Sequence, residues 1–218
     1  GEILVKGVGI FQGYYKNPEA TEEVLKDGWF HSGDGGAFTD DGHLIYIDRV
    51  SDFRELSGGR RFSPNYIEVR LRFSRYLQEC MAVGGPDRDF VVCLISMDFQ
   101  NTGNWAEKQN VGYTTFLDLS QKDEVAELIR GEIQQINHTL PEESRVKEFV
   151  ILHKEFDPDE AELTRTRKLR RSYMEERYKE VIEGMYSGRK MVPIEAEVKY
   201  QDGRVRRMKT DLGVRSVD

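Results

Sequence analysis

The sequence predicts an α+β fold, and three observations carry that prediction. From about residue 50 onward, segments with helical spacing alternate with short runs of β-branched and aromatic residues. Two of those runs flank Gly84-Gly85-Pro86-Asp87, a turn of the kind that closes a hairpin. Residues 1–48, by contrast, read mainly as short strands and turns, so the β-rich beginning and the mixed remainder are expected to be different pieces.

Taken in order, Gly-Glu-Ile-Leu-Val-Lys-Gly (1–7) alternates like a half-buried strand. Its sheet partner is expected outside this sequence, and the absence of an initial methionine suggests a segment of a longer chain. Asn17-Pro18 starts a short helix through residues 20–25. Asp27-Gly28 and Asp41-Gly42 are turns, each ahead of an apolar run. Residues 43–48, His-Leu-Ile-Tyr-Ile-Asp, have strand composition. Past Arg49, Ser57-Gly58-Gly59-Arg60-Arg61 reads as a flexible turn. Ser63-Pro64 then supplies an N-cap and a first-turn proline for a helix that carries Ile67, Leu71 and Leu77 towards a core.

Residues 80–83 and 90–97 are expected as the two strands of the hairpin. Ser120 is placed as the cap of a helix bearing Val125, Leu128, Ile129, Ile133, Ile136 and Leu140, ended by Pro141. Residues 149–152 read as one more strand and 173–185 as a last helix. The final thirty residues carry a second hairpin signature, Gln201-Asp202-Gly203 between 194–200 and 204–209.

The 218 residues suffice for one full domain and more, and 38% hydrophobic with 33% charged residues is ordinary for a wet-surfaced globular chain. A net charge of −7 excludes a dedicated nucleic-acid binder as the leading reading. Cys80 and Cys93 are the only cysteines and lack CxxC spacing, so buried reduced thiols are expected rather than a disulfide framework, and no metal site is expected. No apolar run approaches the ~18 residues of a membrane span, and no signal-peptide pattern is present; a cytoplasmic protein is expected.

Three local patterns could carry chemistry. In Gly-Trp-Phe-His-Ser-Gly-Asp (28–34), Asp34 sits in a glycine-flanked turn: it either bonds its own backbone or offers two acceptor oxygens to a ribose diol. In Asp-Arg-Val-Ser-Asp (48–52), Arg49 follows a strand, as surface charges also do, and the Gly58-Gly59 pair lacks the pattern of a phosphate-cradling P-loop. In Leu-Thr-Arg-Thr-Arg-Lys-Leu-Arg-Arg (163–171), five basic residues occur with no acid among them. That run is either a solvated face or a cluster that neutralises phosphate charge.

The order of these patterns points to a family. Gly-Tyr-Tyr-Lys-Asn-Pro-Glu-Ala-Thr (13–21), the 28–34 segment, Gly-His-Leu-Ile-Tyr-Ile-Asp-Arg (42–49) and Ser57-Gly58-Gly59 with Ser63-Pro64 and Ile67-Glu68 resemble the late motifs of adenylate-forming enzymes. Residues 162–178 resemble the terminal lysine motif in its long-chain acyl-CoA synthetase version. The resemblance covers roughly 1–188.

It implies an acid–thiol ligase that joins a carboxylate, a long-chain fatty acid or another carboxylic acid, to ATP and passes the acyl group to coenzyme A after rotation of a small terminal domain. Residues 1–48 would end the large AMP-binding domain, 49–51 would hold the hinge at Ser51, 52–188 would form the mobile α+β domain, and 189–218 would be a hairpin tail. Asp34 would bind the ribose hydroxyls and Arg49 the ribose or phosphate. Lys168 would be the catalytic lysine of adenylation. Gly58 and Gly59 would leave room for the pantetheine arm. ATP, Mg²⁺ and coenzyme A are the implied cofactors, with ATP and Mg²⁺ held largely by a large domain on the N-terminal side, so the segment alone would be inactive.

Four positions differ from the usual pattern: Asp48 replaces glycine, Ser51 replaces aspartate or lysine, Arg165 replaces proline, and Arg167 stands where glycine or leucine is common. Two other readings stay open, an adenylation domain that loads a carrier protein and a non-catalytic module binding a partner through the basic tail around 199–209. Peripheral contact with a membrane stays open as well.

Overall fold

The computed structural model describes residues 1–199 and 205–218. The chain forms two compact units, Gly1–Phe53 and Arg54–Asp218.

The first unit is a small sheet. β1 (Glu2–Val5) is followed by α1 (Pro18–Val24), β2 (Leu25–Lys26), β3 (Trp29–Phe38) and β4 (Leu44–Arg49). Asn17 caps α1, its side chain accepting from the Ala20 amide at 3.1 Å, as the Asn-Pro pair predicts. β3 is the central strand, with β1, β2 and β4 all antiparallel to it. Two features of this unit differ from expectation. The opening strand finds its partner within this chain, on β3. Asp34 lies in that strand rather than in a turn, because β1 and β4 satisfy both edges of β3 and so outweigh the poor strand propensity of its glycines.

The second unit begins with a two-stranded ribbon, β5 (Arg54–Glu55) and β6 (Arg61–Phe62), closed by the Ser57–Gly59 turn. Then come α2 (Pro64–Leu71), β7 (Leu77–Val83), β8 (Val91–Met97), α3 (Phe99–Lys108), α4 (Phe116–Ser120), α5 (Asp123–Asn137), β9 (Val146–Ile151), α6 (Arg171–Arg177), α7 (Lys179–Tyr186), β10 (Met191–Lys199) and β11 (Val205–Ser216). The sheet runs β10-β11-β9-β8-β7, with β8 and β9 parallel and the other pairs antiparallel.

Both faces of this sheet are covered, which explains why its strands read as unbroken apolar runs. Cys80, Ala82, Cys93, Ile95, Phe149 and Ile151 face one core, shared with Ile67, Leu71, Ile129 and Ile133 of α2 and α5. Met81, Val83, Val92, Leu94 and Val150 face another, shared with Met174 of α6 and Val181, Ile182 and Met185 of α7. The period-2 alternation sorts neighbouring residues between the two cores. Cys80 and Cys93 are buried and free, as the spacing predicts.

The α+β class and the hairpin at 84–87 are as expected; several boundaries are not. α2 stops at Leu71 and Leu77 opens β7, after a tight turn in which Ser74 bonds back to Leu71. Ser120 ends α4 instead of capping the next helix, and its hydroxyl donates to the Leu117 carbonyl at 2.9 Å. The break has a cause: the Gln121 amide donates to Ile151 at 3.0 Å and accepts from Gly213 at 3.0 Å, stitching two strands. The last helix is two helices, parted at Tyr178. The two arms of the terminal hairpin pair antiparallel and join the main sheet through β11, while its Asp202-Gly203 turn lies outside the described residues.

Candidate functional site

Asp34 and Arg49 are directly opposite each other on β3 and β4. Their side chains form an ion pair at 2.9 Å. The same guanidinium donates to the Ser32 carbonyl at 3.2 Å. Ser32 in turn donates to the Ile3 carbonyl at 2.7 Å and accepts from the Asp34 amide at 3.1 Å, so the strand around the carboxylate is tied at three points. Next to it, the Asp48 side chain is buried and accepts from the Arg49 amide at 2.9 Å, which fixes the backbone from which Arg49 projects. Among the described residues, only one Asp34 oxygen is engaged by a side chain, which leaves acceptor capacity for a hydroxyl. Ser51 lies in a short 3-10 turn, Val50–Asp52, and donates to Asp52 at 3.2 Å.

Gly58 and Gly59 take φ of 75° and 78° in succession. A Cβ on Gly58 would meet nothing within 4 Å, so glycine is demanded here by the left-handed backbone and not by crowding inside the chain. The turn is clasped by Leu56–Arg60 and Ser57–Arg88 backbone bonds of 2.7 and 2.9 Å and by the Arg60 guanidinium on the Asp89 carbonyl at 2.8 Å.

Lys168 stands on a five-residue turn closed by a bridge between Leu163 and Leu169. The Thr164 amide donates to the Lys168 carbonyl at 2.8 Å, the Arg167 amide to the Thr164 carbonyl at 2.9 Å, and the Lys168 amide to the Thr164 hydroxyl at 3.0 Å. The side chains of Arg165, Thr166, Arg167 and Lys168 are exposed while the flanking Leu163 is buried.

The base of this turn rests on two buried carboxylates that sequence reasoning did not assign a role. Glu162 is wholly inaccessible, and its oxygens meet Lys154 Nζ at 2.6 Å, the Asp157 amide at 2.9 Å, the Tyr178 hydroxyl at 2.7 Å and Arg177 Nε at 3.2 Å. Every lone pair has a partner, the condition on which a buried charge is tolerated. Burial and the Glu162 carboxylate push the Tyr178 hydroxyl well above its usual pKa, so it stays a donor. On the far side, Arg171 pairs with Glu68 of α2 at 2.5 Å and with the Ala82 carbonyl at 3.4 Å, and Glu68 accepts from the Ala82 amide at 2.8 Å. Burial pushes the Glu68 carboxyl up, against the pull of Arg171. One signal for Glu68 was present: with Pro64, Ile67 and Leu71 it occupies the buried stripe of α2, where an unpaired acid would not be tolerated.

The structure thus brings Asp34 and Arg49 together in the first unit and holds Gly58, Gly59 and Lys168 on separate turns of the second. Among the described residues, no group of three or more His, Cys, Asp or Glu is placed to hold a metal ion, so these residues do not by themselves fit a Mg²⁺ site. No helix among them is long and apolar enough to cross a membrane.

The AMP-binding enzyme C-terminal domain family matches residues 52–190, the stretch that contains the glycine turn, both anchoring carboxylates and Lys168. This chain belongs to that family. Long-chain-fatty-acid–CoA ligase FadD15 of Mycobacterium tuberculosis is 30% identical over 188 residues, 86% of this chain and 31% of that protein. Long-chain-fatty-acid–CoA ligase 1 of Homo sapiens is 31% identical over 195 residues, 86% of this chain and 27% of that protein. This chain therefore spans under a third of the length of these relatives. Among solved structures, the adenylation domain of a carboxylate reductase from Mycobacterium chelonae matches with a TM-score of 0.56 at 25% identity, over 86% of this chain and 28% of that one.

Proposed function

We propose that the chain is the carboxy-terminal part of an acyl-CoA synthetase that activates a long-chain fatty acid, in keeping with the ligases it resembles. In this reading residues 1–48 end a large nucleotide-binding domain, Ser51 is the pivot, and the domain that begins at residue 52 is mobile. The enzyme is cytoplasmic, and the segment alone does not turn over. The observation that carries the reading is Lys168 at the closing position of a pinned turn, its side chain exposed and its ammonium without an acidic partner among the described residues, within the family-matched stretch.

In the first half-reaction an oxygen of the fatty-acid carboxylate forms a bond to the α-phosphorus of ATP. The bond from that phosphorus to the α,β-bridging oxygen breaks, and pyrophosphate leaves with the electron pair. Lys168 Nζ offsets the charge that gathers on the attacking and α-phosphate oxygens. Asp34 accepts from the ribose hydroxyls, and Arg49, already fixed on Asp34, orients that carboxylate and meets the ribose or phosphate. In the second half-reaction the coenzyme A sulfur bonds to the acyl carbon, the thiol gives up its proton to solvent, and AMP leaves with the bonding pair. Gly58 and Gly59 present a turn without side chains to the pantetheine arm. Mg²⁺, for which the described residues offer no ligand cluster, would be held by the large domain and would neutralise charge on the phosphates.

A second reading has one observation in its favour, the match to an adenylation domain of a carboxylate reductase, which suggests an acyl group handed to a carrier protein. Mass-spectrometric product analysis of the full-length enzyme, given ATP and acids of graded length, separates the two. Acyl-CoA is expected with free coenzyme A. Transfer only to a carrier, or no adenylate at all, contradicts the first reading.

A further inference from the structure

Arg167 has φ of 58°. A long side chain in that left-handed region carries a conformational penalty that glycine avoids, and a turn built only for shape would favour glycine or asparagine. The guanidinium it carries is exposed, as is that of Arg165, and neither has a hydrogen bond or ion pair with an acid among the described residues. Of the acids near Arg167 in sequence, Glu160 and Glu162 are engaged by Lys154 and Arg177, and Glu175 by Arg54. The 164–168 backbone bonds and the Leu163–Leu169 bridge tie the backbone that carries these cations. Arg167 is one residue from Lys168, so their Cα atoms are about 3.8 Å apart.

We propose that Arg167, supported by Arg165, binds the β- and γ-phosphates of ATP, the diphosphate that departs as pyrophosphate, while Lys168 meets the reacting α-phosphate. This inference rests on the reading of Lys168 given above and adds to it a second cation with a different target. A planar guanidinium suits two phosphate oxygens at once, whereas the neighbouring ammonium acts as a point charge. The bond changes are those of the first half-reaction; Arg167 acts in them only as a hydrogen-bond donor and neither forms nor breaks a bond. A diphosphate also occurs in coenzyme A, and the test is arranged to tell the two sources apart.

The substitution Arg167→Gly removes the exposed side chain with its guanidinium, while glycine adopts the left-handed backbone without strain. In the full-length enzyme, the reverse of the first half-reaction is run from supplied acyl-adenylate and inorganic pyrophosphate, with ATP as the product measured. The KM for pyrophosphate should rise about ten-fold in Arg167→Gly, the usual order for one charge-assisted contact. The KM for coenzyme A in the second half-reaction should stay unchanged, and thermal stability should not fall. An unchanged pyrophosphate KM overturns the proposal, and so does a rise in the coenzyme A KM in its place. Lys168→Ala is run in parallel. If it cripples adenylation while Arg167→Gly is silent, the inference fails and the reading of Lys168 stands; if Lys168→Ala is silent, the reading itself fails.

Discussion

The Asp34–Arg49 pair and the Lys168 turn handle charge in opposite ways. At Asp34, acid and base neutralise each other at 2.9 Å across neighbouring strands. At the Lys168 turn the roles are divided. The acids, Glu162 and Glu68, are buried and consumed by Lys154, Arg177 and Arg171, while Arg165, Arg167 and Lys168 stay exposed and without acid partners among the described residues. A resting ion pair suits a group that orients a neutral hydroxyl. A ligand that is itself strongly anionic calls for cations that have not been spent. The division also separates what holds the turn from what the turn offers, so stability and activity should respond to different substitutions.

The largest stability effect should follow from removing the anchor. Glu162→Ala leaves Lys154, Arg177 and the buried Tyr178 hydroxyl without their shared acceptor. The loss should be about 3 kcal/mol, at the low end for a broken buried pair, because Lys154 and Arg177 also meet Glu160. Denaturant unfolding of the variant measures it, and a change within the error of the extrapolation would mean that the turn is not held this way.

His153, beside this network, supplies a pH test. Burial, and then the Lys154 charge, lower its pKa to about 4 from an ordinary 6.5, and its Nδ1 has no hydrogen-bond partner. With the folded pKa below the unfolded one, the unfolded chain binds more protons between those values, so stability rises with pH across that window. The contribution is complete above about pH 6.5 and is lost as pH falls towards 4; its upper size is about 3 kcal/mol. Comparing wild type with His153→Gln by unfolding at pH 4 and pH 7 isolates it. A difference that does not change with pH contradicts the assignment.

The smallest stability effect belongs to the partly exposed Asp34–Arg49 pair. Asp34→Asn should change unfolding free energy by less than about 1 kcal/mol. If Asp34 takes the ribose role proposed for it, the substitution should also weaken nucleotide binding in the full-length enzyme, by loss of a charged acceptor. Isothermal titration with AMP reads this directly. A large stability loss with unaltered AMP affinity would make Asp34 an anchor like Glu162 and would erase the contrast.

Much of the fold was legible where the signal is local. Asn17-Pro18 and Ser63-Pro64 announce their helices, and their side chains do accept from Ala20 and Tyr66 amides. The apolar runs of β7 and β8 read as strands because both of their faces are buried. What escaped was set by distant partners. The helix after Arg171 breaks at Tyr178 although its apolar spacing continues, because that side chain is drawn inward to Glu162, sixteen residues back. Glu68 and Arg171 are 103 residues apart and nothing near either one names the other. Within the candidate site, the basic run around Lys168 was visible, but its division into exposed cations and buried anchors, and the left-handed backbone at Arg167, required the folded turn.

The central claim is that Lys168 acts on charge that develops in adenylate formation and takes no part in holding the fold. Lys168→Ala in the full-length enzyme, followed by rapid single-turnover kinetics of the two half-reactions separately, tests it most directly. Adenylate formation should slow by about 10²–10³, transfer from supplied acyl-adenylate to coenzyme A should keep its rate, and the melting temperature should not move. Equal slowing of both half-reactions, or no slowing of the first, would contradict it.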